Sequence, residues 1–465
     1  MQLSTSPGVM SIPDIRASMT GEVIGPDDAG YDGARTVRSG AIDRRPAVIV
    51  RVADADDVAN VIGLARETGL ELAVRSGGHS AAGHSVTDGG IVLDLSALKT
   101  LDVDVAGRTA WADAGLTAAE VTVAAAEHGL AIGFGDTGSV GIGGITLGGG
   151  VGYLVRKHGL TIDSLLAADL VTADGELIRV DATHHPDLFW AIRGGGGNFG
   201  VVTRFQFRLA ELDGVVGGML ILPATPETVA GFIAAAEAAP EELSTIANVM
   251  TAPPMPFLPD EVVGQTVIMG ILAYAGDASD GERAIAPFRA LATPLADMVK
   301  PMPYPEIYPP DDESYRPTAA ATTMLLDHVD TAVATTILEF LAASDSPLRV
   351  AQLRVLGGAM ARVPAEATAF AHRDARIMVN LAAFYEADDK AAREAWVAEF
   401  AAAIDQGNHN AYVNFVGDEG EARVRAAYPG ATWDRLAAVK QQYDPANLFR
   451  LNQNIPPASR AGAGA

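Results

Sequence analysis

Glycine is concentrated in three short segments of this 465-residue chain, and each segment can bring bare backbone against a ligand. They are Arg-Ser-Gly-Gly-His at 75–79, Gly-Ile-Gly-Gly-Ile-Thr-Leu-Gly-Gly-Gly at 141–150, and Arg-Gly-Gly-Gly-Gly-Asn-Phe-Gly at 193–200. Glycine reaches positive φ and exposes backbone N–H groups, which is how proteins hold a pyrophosphate without a positively charged side chain. The three segments therefore predict a dinucleotide site.

Two common nucleotide sites do not fit these segments. A nicotinamide site of the Rossmann type needs its glycines between the first strand and its helix, with an acidic residue about twenty positions later. None of the three segments has that context. A Walker loop ends in Gly-Lys-Ser/Thr, which does not follow 143–150, so phosphoryl transfer is set aside. Tight turns are the simple alternative for one such segment, and the presence of three weakens it.

Four segments, in order along the chain, carry a more specific resemblance. They are Arg-Ser-Gly-Gly-His-Ser at 75–80, Val-Gly-Ile-Gly-Gly at 140–144, Leu-Phe-Trp-Ala-Ile-Arg-Gly-Gly-Gly-Gly-Asn-Phe-Gly-Val-Val-Thr at 188–203, and Tyr-Asp-Pro-Ala-Asn-Leu-Phe-Arg-Leu-Asn-Gln-Asn-Ile at 443–455. This pattern resembles the berberine-bridge-enzyme-like flavoproteins of the vanillyl-alcohol-oxidase superfamily. The resemblance implies an α+β fold in which a PCMH-type FAD-binding domain accompanies a substrate domain made of an antiparallel sheet covered by helices.

The resemblance also implies how the cofactor is held. The loop 75–79 would wrap the pyrophosphate of FAD, and His79 would bond to the 8α carbon of the flavin. Many relatives add a second bond from a cysteine three residues before Val140, but Thr137 stands there and the chain has no cysteine. The implied linkage is therefore through His79 alone. Further contacts to FAD are implied at Arg75, Ser76, Gly77, Gly78, Ser80, Thr137, Gly141, Gly143, Gly144, Gly149, Asn198, Val202, Asn452 and Asn454.

A base for the substrate proton is predicted in the segment Asn-Ala-Tyr-Val-Asn at 410–414, which resembles the family segment whose tyrosine faces the flavin. Tyr412 is the predicted base, and its pKa would have to be lowered for it to work near neutral pH. Asn414, two residues along a predicted strand, would share its face and orient it. A half-buried strand aromatic is the alternative interpretation of Tyr412.

Four further residues are weaker candidates. Gln352 and Arg354 alternate on a predicted strand, in the region where relatives place a substrate-orienting acid or amide, and Asn380 lies on the next strand. Arg354 beside Tyr412 would stabilise a phenolate, although a solvated strand residue is an equal alternative. Val140 occupies the position at which relatives with valine admit oxygen and those with leucine exclude it; ordinary packing is the other interpretation.

Together these residues predict an FAD-dependent oxidase. A small organic substrate, whether alcohol, sugar, amine, phenol or polyketide, would pass a hydride to flavin N5, and oxygen would be reduced to hydrogen peroxide. A histidyl substituent withdraws electron density, which makes the flavin a stronger hydride acceptor. The alternatives are a dehydrogenase with another electron acceptor, a UDP-sugar reductase, and a non-catalytic flavin-binding protein. The substrate itself is not set by the fold.

Hydrophobic spacing predicts the elements that position these residues. Strands are expected at 47–52 and 70–74, flanking a helix whose face repeats at Val58, Val61, Ile62 and Ala65. Thr117 and Glu120 form a predicted capping box that opens a second helix, followed by an apolar segment at 130–134, so a second β-α-β unit is expected. Other predictions are a hairpin turn at 173–175, a strand at 263–274, and a helix at 388–404 with Ala392, Trp396 and Phe400 on one face.

A change in composition predicts the domain division. The glycine clusters stop after Leu212, and proline-rich runs follow at 253–259 and 301–317. We expect an FAD-binding domain over 1–212, a substrate domain over 213–410, and a C-terminal segment, 411–465, that returns to the first domain.

Charge and composition limit the partners. Lys and Arg number 33 against 58 Asp and Glu, a formal net charge of −25, which repels nucleic acid and anionic membranes. No apolar run is long enough to span a bilayer, and 1–21 lacks the pattern of a signal peptide. A cytoplasmic protein with a small-molecule substrate and oxygen as partners, and with no metal site, is expected. The oligomeric state is left open.

Overall fold

The computed structural model describes residues 11–312, 314–386 and 388–459. The first ten residues of the predicted first domain and the last six of the predicted C-terminal segment lie outside this description. Along the described chain, three smaller sheets are formed by strands that end at or before Glu211, and one large sheet begins at Val215.

The first sheet contains the predicted β-α-β unit. Its strands run in the order Glu22–Ile24, Val48–Arg51, Ile91–Asp94 and Leu72–Arg75, and the last three are parallel. The helix Ala55–Thr68 connects two of them. It begins where the Asp54 side chain accepts a hydrogen bond from the backbone N–H of Asp57, and it buries the predicted apolar face. The prediction for this unit is confirmed.

The second sheet is antiparallel and has five strands. Their order is Leu101–Asp104, Thr109–Asp113, Val201–Arg208, Leu165–Val171 and Leu177–Asp181. The predicted hairpin turn joins the last two, where Gly175 has a φ of 83°. In the strand Val201–Arg208, Phe205 and Phe207 are fully buried, as their alternation predicts.

The predicted second β-α-β unit is wrong, although its helix is present. The Thr117–Glu120 capping box does open the helix Ala118–Ala126. The following strand, however, is only Leu130–Ala131, and it pairs antiparallel with Ala210–Glu211 in a separate two-stranded sheet. The other apolar residues of 130–134 are buried without pairing, because packing rather than sheet formation removes them from water.

The large sheet has eight strands, and every pairing in it is antiparallel. Seven follow the order Ala296–Asp297, Val215–Pro223, Thr266–Tyr274, Leu243–Thr251, Arg349–Val355, Ile377–Phe384 and Ala319–Leu326, while Lys300–Met302 pairs with Val215–Pro223. The covering helices are Pro226–Ala238, Ala278–Arg289, Thr331–Ala343 and Lys390–Ile404, and a continuous apolar core lies between them and the sheet. An antiparallel sheet covered by helices was predicted, and it is confirmed.

Two details of this region differ from the prediction. The strand expected from residue 263 begins at Thr266, because Asp260–Val262 form a turn of 3-10 helix and Gly264 follows with a φ of 84°. In the helix Lys390–Ile404, Trp396 is half-buried and Ala392 is exposed. The buried face runs instead through Arg393, Val397, Phe400 and Ile404.

The last part of the chain returns to the glycine segments. Lys440 and Asp444 form a fully buried ion pair with an Nζ to Oδ2 distance of 2.7 Å. Lys440 Nζ also donates to the backbone oxygens of Asn198 (2.7 Å) and Phe449 (2.9 Å). The buried ammonium therefore ties the C-terminal segment to the third glycine segment.

The remaining helices and turns are short and connect the sheets. The α-helices are Ile12–Ser18, Tyr31–Arg35, Ile142–Gly148, Val155–His158, Pro186–Ile192, Ala359–Arg362, Glu421–Ala427 and Ala431–Tyr443, and the 3-10 turns are Thr161–Asp163, Tyr304–Ile307, Ala365–Ala367 and Val413–Phe415. Within the described residues, none of the helices combines the length and the apolar character needed to cross a bilayer.

Candidate active site

A cavity of about 430 Å³ lies where the glycine segments, the large sheet and the C-terminal segment meet. This volume is in the range of small-molecule and cofactor sites. Its wall is drawn from residues as far apart as Leu72 and Gln453. The three glycine segments therefore share one cavity, although they are distant in the sequence.

Two of the glycine segments pack backbone against backbone. A Cβ added to Gly77 would lie 2.2 Å from the backbone nitrogen of Gly141, and one added to Gly141 would lie 2.2 Å from that of Gly77. Ser76 Oγ joins the same contact by accepting from the backbone N–H of Gly143 at 3.3 Å. Glycine is required here for close approach, because any side chain would force the two segments apart. By contrast, an added Cβ on Gly144 or Gly197 would meet nothing within 4 Å.

His79 is half-buried in the cavity wall, directly after this contact. Its Nε2 lies 3.3 Å from Ser139 Oγ. Burial, and next the positive charge of Arg38, lower the pKa of His79 below its usual value, so the ring is neutral at pH 7. A neutral imidazole has a free nitrogen lone pair, which is what bonding to an electrophilic carbon requires.

Tyr412 and Asn414 line the same cavity and contact the second glycine segment, although they are more than 260 residues away from it in the sequence. Tyr412 Oη accepts hydrogen bonds from the backbone N–H of Gly150 and from Asn414 Nδ2, both at 2.9 Å. Asn414 Nδ2 donates also to the Ile145 oxygen at 3.1 Å. The prediction that these two residues lie on a strand is wrong. Val413–Phe415 is a 3-10 turn, and this turn brings the two side chains together. Among the described residues, none accepts a hydrogen bond from the Tyr412 hydroxyl.

The expected lowering of the Tyr412 pKa is not found. Burial raises the pKa of the phenol above its usual value, while the hydrogen bonds from Asn414 and Gly150 and the charge of Arg354 act in the opposite direction without overcoming it. The prediction was wrong because the sequence does not show that this side chain is only 3% exposed.

Arg354 is directed to a different partner from the predicted one. Its Nη2 donates to the carboxylate of Asp136 in an ion pair, and the same nitrogen donates to Gln352 Oε1 at 2.7 Å. Its guanidinium also lies over the Phe415 ring, 5.1 Å from the centroid. Arg354 therefore neutralises Asp136, a residue of the cavity wall, rather than contacting the Tyr412 oxygen.

Most of the predicted site residues line the cavity. Those on its wall are Ser76, Gly77, Gly78, His79, Ser80, Thr137, Val140, Gly141, Gly143, Gly144, Asn198, Val202, Asn380, Tyr412, Asn414 and Asn452. Those that do not line it are Arg75, Gly149, Gln352, Arg354 and Asn454.

Two of the predicted residues that do not line the cavity are paired with other side chains. Arg75 pairs with Asp94 at 2.8 Å, and Gln352 donates to Asn248 Oδ1 at 2.9 Å. The Asn198 side chain is also engaged by the protein: its Nδ2 donates to the Gln453 oxygen at 3.1 Å, and its Oδ1 accepts from the N–H of Ile455. If Asn198 contacts the cofactor, as predicted, it does so through atoms other than Nδ2 and Oδ1.

The wall residues that the sequence analysis missed include Asp136, His84 and Phe415. Asp136 directly precedes Thr137, a predicted cofactor contact, and this position was a usable signal. His84 lies five residues after His79 in the same loop and was equally visible. Phe415 had no signal, because its place depends on the 3-10 turn.

The wall also fits a cofactor with many polar groups. Several of its buried polar atoms have no hydrogen-bond partner within the described chain: Asn452 Oδ1, Ser85 Oγ and both ring nitrogens of His84. Buried polar atoms are nearly always paired in proteins, and a bound ligand is one source of the missing partners. Open glycine backbone together with such atoms is the chemistry that holds FAD.

Comparisons with known proteins agree with this site. Residues 46–181 match the model of an FAD binding domain, and 411–456 match the family described as berberine and berberine like. The chain is 32% identical to (R)-6-hydroxynicotine oxidase of Paenarthrobacter nicotinovorans, over 95% of this chain and 97% of that protein.

Solved structures show the same architecture. The crystal structure of 6-hydroxy-D-nicotine oxidase from Arthrobacter nicotinovorans superposes with a TM-score of 0.85 at 30% identity, covering 95% of this chain and 99% of that one. Physcomitrella patens BBE-like 1 gives 0.86 at 23% identity, covering 97% and 100%, which supports the fold.

Fold and site together define an FAD-dependent oxidoreductase. The chain belongs to the berberine-bridge-enzyme-like family of FAD-linked oxidoreductases, as the sequence motifs implied.

Proposed function

We propose that this protein is an oxidase that carries FAD bonded through His79, oxidises a small organic substrate and releases hydrogen peroxide. One observation carries the proposal: His79 and Tyr412 line the same cavity. The His79 ring is neutral, and the Tyr412 hydroxyl accepts two hydrogen bonds. FAD, when bound, would accept a hydride from the substrate and return the electrons to oxygen.

His79 would hold the flavin by a bond from its ring nitrogen to the 8α carbon. The 3.3 Å contact with Ser139 Oγ orients the imidazole, and the lowered pKa keeps it unprotonated. Thr137 cannot add a second bond, because a hydroxyl replaces the thiol that relatives use there.

The experiment is acid precipitation of the purified protein. We expect the yellow chromophore in the pellet for the parent, and in the supernatant for His79→Ala, because only the backbone contacts remain in the variant. Ser139→Ala serves as the control: it removes the orienting contact but leaves the bonding nitrogen, so the pellet stays yellow. Colour in the supernatant of the parent contradicts the linkage.

Tyr412 would take the substrate proton at Oη, and Asn414 and the Gly150 N–H would stabilise the negative oxygen. Because these donors occupy both lone-pair directions of the neutral hydroxyl, the third direction holds its own proton. The oxygen would accept the substrate proton in that direction after the phenol has lost its proton to solvent and become a phenolate. Asn380, in register with Gln352 on the neighbouring strand, would hydrogen-bond the rest of the substrate.

For the substrate class, we propose a small amine or alcohol. The relative of 32% identity is named for oxidation of (R)-6-hydroxynicotine, which makes cyclic amines the first class to screen. Sugars, benzylic alcohols and phenols complete the panel, with peroxide release as the readout. If good substrates reduce the flavin but an artificial acceptor, not oxygen, is needed for turnover, the protein is the alternative, a dehydrogenase.

A further inference from the structure

Asp136 is the one residue, among the described residues that line the cavity, whose side chain is charged at pH 7. Within the described chain, the wall has no second carboxylate and no lysine or arginine; its other ionisable residues are His79, His84 and Tyr412. Burial lowers the pKa of His79 below its usual value and that of His84 to about 4, and it raises the pKa of Tyr412, so all three are neutral at pH 7. The wall therefore presents a single negative charge to a ligand.

The ion pair between Asp136 and Arg354 is oriented with its anion toward the cavity. The Asp136 side chain is 27% exposed and lines the cavity, whereas the Arg354 side chain is 5% exposed and does not line it. Gln352 holds the guanidinium in place, because its Oε1 accepts from Arg354 Nε at 3.2 Å and from Nη2 at 2.7 Å. Since the cation is buried and fixed, a ligand in the cavity meets the carboxylate and not the guanidinium.

The Asp136 carboxylate has acceptor sites that the protein does not use. An ionised carboxylate offers about four of them. In the described chain, two donors take one site each: Arg354 Nη2 donates to Oδ2, and Thr137 Oγ1 donates to Oδ1 at 3.3 Å. The other sites are open to a ligand, and a positively charged N–H donor binds a carboxylate more strongly than a neutral donor does.

The ion pair lies near both residues on which the proposed function rests. Burial has the largest effect on the pKa of His79 and of Tyr412, but the charge of Asp136 also acts on His79 and that of Arg354 on Tyr412. The Phe415 ring lies 5.1 Å from the Arg354 guanidinium and 5.3 Å from the Tyr412 ring, measured to its centroid. The carboxylate would repel a pyrophosphate. This part of the cavity therefore suits the substrate and not the phosphates of FAD.

We propose that Asp136 binds the ammonium group of the substrate, so that the substrates of this enzyme are protonated amines and not alcohols or sugars. This inference rests on the proposed function and selects one class from those that it leaves open. It concerns binding alone and does not depend on the bond to His79 or on the electron acceptor.

The test measures the binding of cumylamine and of cumyl alcohol to the full-length, FAD-loaded protein by calorimetry at pH 7. The two probes share one carbon skeleton, and neither has a hydrogen on the carbon that carries the nitrogen or oxygen, so neither can lose a hydride. Cumylamine is an ammonium ion at this pH. We expect the parent to bind cumylamine more tightly than cumyl alcohol. In Asp136→Asn, the Kd for cumylamine should rise by about 10- to 100-fold, the range for a hydrogen bond to a charged group, and that for cumyl alcohol should change less than about threefold.

Two further variants keep the test decisive if an unpaired Arg354 disturbs folding. Arg354→Met and the double variant Asp136→Asn with Arg354→Met both lack the guanidinium and differ only at residue 136. The preference for cumylamine should be present in the first and absent in the second. The matched control is Asp163→Asn, because Asp163 also pairs with a buried arginine, Arg373, at 2.8 Å but does not line the cavity. Its Kd values for both probes should equal those of the parent.

Equal affinity of the parent for the two probes, or a preference for cumylamine that survives in the double variant, overturns the proposal. Failure of this inference differs from failure of the proposed function, because neither probe requires turnover. Peroxide release from alcohols or sugars without a preference for cumylamine would keep the oxidase and remove the ammonium site. A preference for cumylamine without peroxide release from any amine would keep the ammonium site and remove the oxidase.

Discussion

Tyr412 is the residue on which turnover is expected to depend most. Tyr412→Phe keeps the ring and its edge contacts with Phe370 and Phe415 but removes the proton acceptor. We expect anaerobic flavin reduction by a good substrate to slow by about 100-fold or more, with flavin content unchanged. A change of less than about threefold at every pH would assign the proton transfer elsewhere.

The same residue predicts a pH profile. A base works deprotonated, and burial raises the pKa of Tyr412, so the rate of reduction should keep rising with pH up to at least about 10, the ordinary value for tyrosine. Asn414→Ala removes a donor that lowers the pKa of the phenol, so the rise should move to still higher pH. At pH 8 the variant should be about 10-fold slower than the parent, which stopped-flow measurement at several pH values would show.

At this scale the sequence predicted residue types better than environments. His79 was predicted to lie in the site from its glycine neighbours, and Tyr412 from the motif at 410–414; both residues line the cavity. The partner of Arg354 was not predicted, because Asp136 is more than two hundred residues away and no local pattern joins them. The direction of the Tyr412 pKa shift was wrong for the same reason: burial is a property of the whole fold.

Among the elements, the contact between the first two glycine segments is the least tolerant of change. Gly141→Ala would place a Cβ 2.2 Å from Gly77 N and from Ser76 Oγ, so we expect loss of bound flavin and a lower melting temperature. Gly144→Ala meets nothing within 4 Å and lies in a helix on the cavity wall, so it should melt at or above the parent temperature as apoprotein yet bind FAD more weakly. Equal behaviour of the two variants would contradict this account of the glycines.

The segment before Gly141 supplies the prediction about oxygen. Val140 is half-buried on the cavity wall, and its backbone oxygen accepts from Ala118, so the chain there is fixed while the side chain faces the site. Val140→Leu adds one methylene at that point. Reoxidation of the reduced flavin by oxygen should slow markedly while reduction by substrate changes little; Val121→Leu, in a buried helix position away from the wall, is the packing control.

Element prediction succeeded where periodicity and a start signal coincide, as at Ala55–Thr68 with its Asp54 cap. It failed at 130–134, since an apolar run of five residues does not distinguish a strand from irregular core. It failed again at 412–414, where the spacing of two side chains is compatible with a strand or with a 3-10 turn.

For the whole molecule, the Asp136–Arg354 ion pair joins the chain just before the second glycine segment to the centre of the large sheet. Arg354 is buried and Asp136 partly exposed, so breaking the pair should cost more than a surface pair, about 1–3 kcal/mol of unfolding free energy. We expect Arg354→Met to destabilise more than the double variant Asp136→Asn with Arg354→Met, because the single change leaves an uncompensated carboxylate.

Denaturant unfolding of the parent, both single variants and the double variant would measure this coupling. Additive effects would show that the two charges do not act as a pair. Flavin content, read from absorbance, is measured alongside, because Asp136 lies on the cavity wall.

The sequence anticipated this architecture mainly through resemblance. Strand order in the large sheet, in which Arg349–Val355 lies between Leu243–Thr251 and Ile377–Phe384, follows from pairings between distant segments that no local pattern encodes. The division near residue 212 stays a prediction: the apolar core of the first region includes Val215, Ile246 and Ala273 of the large sheet, so packing crosses that point.

The buried tie from Lys440 to Asn198 has a consequence for how the protein is made. Asn198 also donates a hydrogen bond to Gln453, which lies 255 residues later in the sequence. At about 5–20 residues per second, the ribosome adds Gln453 roughly 10–50 s after Asn198. Throughout that interval the cavity wall is incomplete, and apolar side chains that the C-terminal segment will bury remain exposed to solvent. We therefore expect FAD to bind only after the ribosome has finished the segment through Gln453.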